Sequence, residues 1–514
     1  MRRPSLADRG QTRSRPAWAI AVLAVIGAGV TLYQLTRPGL IFGLTPDVAV
    51  YVGASVRLVH GFLPYRDYAF VQPPGYVILT APIGALSEAI GTRNALAVLR
   101  LLTPLLAAAN VVLVGWLVRH RGVAGTVVAC TVMACFPGEL YAIRGPQLEP
   151  LMTFFCLLGA ALVFDGDRFA GPRRMLLGGV GLGFAVAVKL PALIPIAVIM
   201  VLAVPALRRR ALPFVGGVAS GAAVPALPFI VLAPAAFWQD VVSTQVARIP
   251  STGRVSVAGR LGELTGLTGA SAESLAIGVS IALAVLVIAA FGASRRRPTL
   301  LERFAIGATV IGGVAQFVPA QYYPQYAALM APFVSLLLGL SVASAAEILR
   351  NRSAALAFAC LASTALLALQ LWHVSGESAP DPAALVDAVI PPGACAISNS
   401  PVFLFTANRF QSDVAGCTDL TDPAGTFLAL GVTSAESVAT WQYAFAHADY
   451  VLTDGPITQW GLPVGAHVLA YVAQNFRLVR DRNPYIYVRD GFPSVKSGLQ
   501  PPPGEVLRSG HNRS

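Results

Sequence analysis

The chain has 514 residues, of which 55% are hydrophobic and only 12% charged; soluble globular domains carry charges at about a quarter of their positions, so that class is excluded. The formal net charge of +12 sits in short basic clusters between apolar runs, the pattern of cytoplasmic loops in a multi-pass membrane protein and not of a nucleic-acid surface. The bilayer is therefore an expected partner and nucleic acid is not.

Residues 1–16 form a basic tail, and Ala17 to Thr36 is long enough to cross a hydrocarbon core of roughly 30 Å. Tyr33-Gln34-Leu35-Thr36 offers no small-residue cleavage pattern, so this is read as an uncleaved first span with the N-terminus in the cytoplasm. A polar island, Thr45 to Tyr76, follows. Thr45-Pro46-Asp47 is a helix start: an N-cap, a proline at the first position and an acid in the first turn. Val48, Tyr51, Val52, Ser55, Val56 and Val59 recur at helical spacing and Gly61 is placed to end the run, which predicts an amphipathic helix lying on the membrane face.

Val77 to Ile90 is apolar but short and carries Pro82 and Glu88. If it crossed, every later basic cluster would lie outside; it is therefore read as interfacial or re-entrant, extending the first outer loop over 37–94. The basic clusters Arg119 with Arg121, Arg168 with Arg173 and Arg174, Arg208 to Arg210, Arg295 to Arg297, and Arg350 with Arg352 then count the remaining crossings. The result is a polytopic α-helical membrane domain over 17–371 with about eleven spans, interrupted by a second outer excursion over 233–270 that holds Trp238, Asp240, Gln245, Arg248, Arg254 and Arg260. An odd count leaves residues 372–490 outside, where short strand patterns alternate with helical ones and Asp481-Arg482-Asn483-Pro484 marks a hairpin turn: a small extracytoplasmic α/β domain. The tail 491–514 reads as disordered.

Cys130, Cys135, Cys156 and Cys360 lie in apolar runs and behave as small hydrophobes. Cys395 and Cys417 lie in the outer region, where a disulfide closing a loop of about twenty residues is worth roughly 3 kcal/mol in the chain-entropy model; two reduced thiols are the alternative. No Cys/His cluster suggests zinc.

Several ionisable residues each admit a plain and a chemical reading. Asp47 is either a first-turn acid that favours the helix dipole or a general base at the membrane surface. Lys189, at an outer turn, either snorkels or meets an anion. Arg66 and Asp67 either pair with each other or touch substrate, and Tyr322 and Tyr323 are either interfacial aromatics or ligands.

Asp47 opening a helix in the first loop, then Pro64-Tyr65-Arg66-Asp67, then Gln72-Pro73-Pro74 ahead of an apolar helix, resembles the GT-C membrane glycosyltransferases, including the protein O-mannosyltransferases and the lipid A aminoarabinose transferases. Further pieces follow in order: Arg144 and Glu149 at the outer start of a span, Lys189-x-Pro191, and Gln321-Tyr322-Tyr323-Pro324 leading into a span with Pro332. The resemblance implies transfer of a sugar, usually with inversion, from a polyprenyl-phosphate donor to a glycan, lipid or protein acceptor on the outer face of the plasma (inner) membrane. Asp47 is then the base, Lys189, Arg66 and Arg144 attend the phosphate, Glu149 orients sugar or acceptor, and Asp67, Gln72 and Tyr323 are further substrate contacts. Two departures stand out. Val48 follows Asp47 where many members carry a second acid, and Gln72 occupies a position where many have His or a charge. They leave open whether a divalent cation takes part. Two rival classes are a permease or lipid flippase without chemistry and a catalytically inactive assembly subunit of the same fold.

Overall fold

The computed structural model describes residues 6–37, 39–246, 255–269, 272–293, 297–319, 322–348, 352–374, 382–418, 420–430, 435–457 and 465–492. Arg248, Arg254, Arg295, Arg296, Gln321, Arg350 and the tail from 493 onward lie outside them.

A long first helix α1 (Leu6–Thr36) is followed by α2 (Pro46–Val59) and α3 (Gly75–Val118). α3 is broken at Gly91, whose φ of +81° and ψ of 157° are non-helical; this departure separates the Val77–Ile90 segment from the apolar run after it, and glycine adopts such a φ without the Cβ penalty. Then come α4 (Val123–Cys135), α5 (Pro137–Arg144), α6 (Leu148–Val163), a small hairpin of β1 (Phe164–Asp165) and β2 (Arg168–Phe169), α7 (Pro172–Val188), α8 (Leu193–Ala203) and α9 (Leu212–Leu232). The second excursion holds three short helices, α10 (Pro234–Trp238), α11 (Thr244–Val246) and α12 (Val257–Thr265). α13 (Glu273–Ala293), α14 (Leu300–Ala315), α15 (Ala331–Ile348) and α16 (Arg352–Val374) complete the bundle. Among the described residues five helices are long and apolar enough to cross a membrane, or six if α4 and α5, bent by 48° at Phe136, make one span.

The closest helix crossing joins α7 to α9. Gly179 and Gly183 of α7 face backbone of α9, and Gly217 and Gly221 of α9 face backbone of α7. In each helix the two glycines are four residues apart, so they share one face and let the backbones meet where hydrocarbon provides no hydrophobic drive.

The basic runs converge at one end of the bundle. Arg121 donates to Asp167 Oδ1 at 2.6 Å in the β1–β2 turn and meets Glu302 Oε1 at 3.1 Å in the first turn of α14. Thr299 and Glu302 form a capping box that starts α14, and Thr299 also donates to Asp167 at 2.9 Å. Arg210 lies over the Phe169 ring at 5.7 Å. Asp167, held by His120, Arg121 and Thr299 against the opposing effect of burial, has its carboxyl well below the usual range.

At the other end lie the first loop, the α7–α8 junction, the second excursion and the C-terminal segment. That segment adds α17 (Pro382–Asp387), α18 (Val402–Thr406), α19 (Pro423–Leu430), α20 (Ala435–His447) and α21 (Gly465–Asn475) to a four-stranded sheet in the order β3-β4-β6-β5. β3 (Ala396–Ser398) runs parallel to β4 (Tyr450–Thr453), while β5 (Phe476–Arg480) and β6 (Tyr485–Arg489) form the antiparallel hairpin and β6 pairs antiparallel with β4. Cys395 and Cys417 are bonded.

The sheet unit changes one expectation. α2 is buried continuously from Val48 to Arg57 and does not lie on an open face. Phe410 stacks across Gly53, where a Cβ would collide with its ring, and Arg57 lies over the rings of Phe62 and Phe410 at 5.2 and 5.8 Å. The face read as solvent-exposed is built from Ala49, Val50, Gly53 and Ala54, residues small or apolar enough to accept a cover. The short helices α5, α10, α11, α12, α18 and α19 are additions to the sequence reading, and the run expected as a span from Tyr326 opens within a 3-10 turn, Pro324–Met330, that continues into α15 as one apolar stretch long enough to cross a membrane.

Arg121→Ala removes the guanidinium shared by Asp167 and the fully buried Glu302. Loss of one partner of a buried pair costs roughly 3 kcal/mol or more. A lowered melting temperature in detergent checks this, with Arg119→Ala, on the exposed side of the same turn, as the mild control.

Candidate active site

A cavity of about 620 Å³ lies where several short helices end. Glu149 enters from the first turn of α6, Lys189 from the residue that ends α7, and Ile194 from the start of α8. Because α6, α7 and α8 run only 16, 17 and 11 residues, their ends stop inside the protein and leave the space. Most of the lining is apolar, with Met152, Leu190, Pro191 and Leu329 among it.

Its charged wall is a single ion pair. Lys189 Nζ donates to Glu149 Oε1 in a close contact and lies 4.8 Å above the Tyr326 ring. Glu149 is 2% exposed and its second oxygen, Oε2, has no hydrogen-bond partner among the described residues. An acceptor oxygen left bare in a buried site costs free energy unless something arrives to donate to it. The wall thus offers an ammonium for an anion and a carboxylate oxygen for a hydroxyl.

Asp47 is half-buried in the first turn of α2 and stands beside this cavity, outside its lining. Gln325 Nε2 donates to Asp47 Oδ2 at 3.1 Å, and the next residue, Tyr326, is cavity wall. Tyr51, one turn further along α2, connects the two places electrostatically: burial first, then Asp47, then Glu149 push its phenol well above the usual value. The start of α2 is fixed from outside. Thr45 occupies the cap position in extended conformation, but its hydroxyl accepts from Gln147 Nε2 at 2.6 Å and does not cap its own helix. Arg100, 1% exposed, donates to the carbonyls of Leu40, Phe42 and Arg144, holding the chain that leads into α2.

The second excursion holds both flanks of the cavity. Asp240 Oδ2 accepts from the Phe70 amide at 2.9 Å and Gln245 Nε2 donates to the Val71 carbonyl at 2.5 Å, just before the wall residue Gln72. Arg260, 1% exposed, donates to the carbonyls of Gln316 and Pro319 at 2.6 and 2.7 Å and lies under the Tyr322 ring.

Of the residues singled out from the sequence, Gln72, Glu149 and Lys189 share the cavity and Asp47 adjoins it. Arg66, Asp67, Arg144 and Tyr323 do not line it. Arg66 and Asp67 make a bidentate pair with each other at 2.8 and 2.7 Å on the surface, and Arg144 lies against Gly43 and the Tyr141 ring. Gln245, Gln316, Tyr322 and Tyr326 are wall residues that sequence reasoning did not assign to substrate. Tyr322 is buried, its hydroxyl donating to Gln316 Oε1 at 2.8 Å, whereas Tyr323 is 42% exposed. Among the described residues no three His, Cys, Asp or Glu side chains converge, and a divalent cation needs more oxygen ligands than Asp47 beside Val48 supplies.

Residues 70–319 match the model of glycosyltransferase family 87, a segment that contains Gln72, Glu149, Lys189 and most of the wall. The fold is that of ArnT from Cupriavidus metallidurans bound to undecaprenyl phosphate, with a TM-score of 0.62 and 14% identity over 92% of this chain and 98% of that one. The chain has the GT-C fold of membrane glycosyltransferases. The archaeal oligosaccharyltransferase AglB from Archaeoglobus fulgidus, in complex with an inhibitory peptide and a dolichol-phosphate, is also similar, with a TM-score of 0.52 and 14% identity over 85% of this chain and 69% of that one. No curated protein sequence matches the chain.

In this protein burial pushes the Asp240 carboxyl up to about 6, against the Phe70 hydrogen bond that lowers it. The folded state then binds more protons than the unfolded chain between the ordinary carboxyl value of 3.8 and about 6, so stability falls as pH rises through that window and levels off above it. Asp240→Asn removes the dependence. Melting temperatures of the two proteins between pH 4 and 7 check this: their difference grows with pH.

Proposed function

We propose that this glycosyltransferase moves a sugar from a polyprenyl-phosphate donor to an acceptor hydroxyl on the outer face of the plasma membrane, with Asp47 as general base. The single observation that carries the reading is the Lys189–Glu149 pair in the wall of a large apolar cavity. A lipid phosphate needs an apolar enclosure for its chain and a cation for its head, and ArnT, the similar structure with undecaprenyl phosphate bound, is a protein of the same fold.

In this account the phosphate sits against Lys189, whose ammonium Glu149 and Tyr326 hold in place. The acceptor hydroxyl approaches from the Asp47 side. Its oxygen attacks the anomeric carbon, the bond from that carbon to the phosphate oxygen breaks, and the electron pair leaves with the polyprenyl phosphate. The hydroxyl proton goes to Asp47 and the anomeric configuration inverts. Lys189 stabilises the charge that grows on the phosphate in a low dielectric, and Glu149 Oε2 takes a hydrogen bond from a sugar or acceptor hydroxyl. No step is routed through a metal.

The topology proposed with it has eleven crossings, the short helices α6, α7, α8 and α14 included, and an N-terminus in the cytoplasm. Support comes from the meeting of Arg121, Asp167, Thr299 and Arg210 at one end of the bundle, which suits a Lys/Arg-rich cytoplasmic face. The first loop and the C-terminal α/β unit, which share the other end through contacts such as Thr92 to Phe405, then face outward, and a bonded Cys395–Cys417 pair accords with an oxidising side.

Asp47→Asn keeps the Gln325 contact sterically possible but removes the proton acceptor. Transfer should fall by about 10² or more with an unchanged melting temperature, as followed by sugar transfer from an extracted lipid donor pool. Full activity in that variant would contradict the assignment.

A further inference from the structure

We infer that Tyr65, Asp240 and Gln245 form a clamp whose task is to aim the Gln72 side chain at the donor phosphate beside Lys189, which makes them positioning residues for the phosphate site. The inference rests on the phosphate reading of Lys189.

The backbone of three consecutive residues is held by side chains. Asp240 accepts from the amide of Phe70, Gln245 donates to the carbonyl of Val71, and Tyr65 donates to the carbonyl of Gln72 at 2.6 Å. A loop satisfied by water would not need this; here the groups are buried and each is paired with a side chain brought from elsewhere. Asp240 is 4% exposed and comes from a π turn 170 residues away. Burying a carboxylate is costly, and among the described residues no cation pairs with it; the Phe70 amide is its partner, while Tyr65, from the first loop, is the titratable group that faces it.

Tyr65 itself is in an unusual state. Its φ is +69°, the left-handed region that a bulky side chain enters at a cost. The loop keeps it there by packing the ring edge-on to Phe229 and Phe237, with centroids 5.8 and 4.9 Å away, so that the hydroxyl reaches Gln72. Strain held by over-determined packing is expected where a position must be exact to function.

What the clamp presents is the Gln72 side chain. It is 7% exposed, lines the same cavity as Lys189, and has no hydrogen-bond partner among the described residues. Pro73 follows it and also lines the wall, its ring removing a donor and restricting the turn. A neutral amide N–H next to an ammonium is suited to a phosphate oxygen, adding a directed donor without another buried charge.

The test measures the dissociation constant of undecaprenyl phosphate for the purified full-length protein in detergent. Gln72→Ala should weaken binding about tenfold, the size of one hydrogen bond to a charged group. Asp240→Ala should do the same, Asp240→Asn should restore it because its Oδ1 still accepts from Phe70, and the double variant Gln72→Ala with Asp240→Ala should be no worse than either alone. Tyr65→Phe, which keeps the ring and loses only the hydroxyl, provides a second variant should Asp240→Ala fold poorly, and should show the same non-additivity with Gln72→Ala. Additive losses, or unchanged binding in Gln72→Ala while Lys189→Ala loses binding, would overturn the clamp and leave the phosphate site standing. Wild-type binding that Lys189→Ala leaves intact, or no wild-type binding, would overturn the phosphate site and the clamp with it.

Discussion

An ammonium in an apolar wall needs a counter-charge, and that requirement organises this protein. Lys189 meets it with Glu149, itself 2% exposed. A pair so buried contributes little net stability, since desolvation offsets most of the attraction. Its value lies in what it leaves available: an ammonium with further donors, and a carboxylate oxygen with no partner among the described residues. Placing the two at the ends of α6 and α7 requires those helices to stop short, and the resulting gap between helix ends is the cavity.

Helix ends and loops inside a protein leave backbone groups that must be paired. Here the partners come from far along the chain. Arg100 takes three carbonyls ahead of and beside α2, Arg260 takes the carbonyls on the far wall, and Asp240 with Gln245 secures Phe70 and Val71. Both arginines are 1% exposed, and their guanidinium forks hold backbone carbonyls. The second excursion thus shapes both flanks of the cavity, a role its polar composition alone does not distinguish from a solvated connection.

Much of the bundle was legible because apolar length and basic punctuation are local signals. Helices α4, α6, α9 and α13 fall between the basic clusters that count the crossings and α16 follows the last of them, and the hairpin of β5 and β6 follows from its turn chemistry. Gln72, Glu149 and Lys189 come together as wall residues. Other features were hidden because they depend on distant cover. α2 looked amphipathic because nothing in its own residues announces Phe410, more than 350 positions away, as its lid. Arg66 and Asp67 drew attention by adjacency and satisfy each other on the surface. Gln245 and Gln316 carry no periodicity or motif, Tyr322 sits in a motif whose choice between its two tyrosines is not a local signal, and only the fold brings the three to one wall.

The proposed substrate is a sugar on a polyprenyl phosphate. Mass spectrometry of the lipid extract from cells lacking the protein tests it most directly. The account predicts accumulation of one polyprenyl-phosphate sugar that is scarce in the parent strain and returns to that level when the protein is restored. A lipid pool indistinguishable from that of the parent, with a nucleotide sugar accumulating instead, would contradict it.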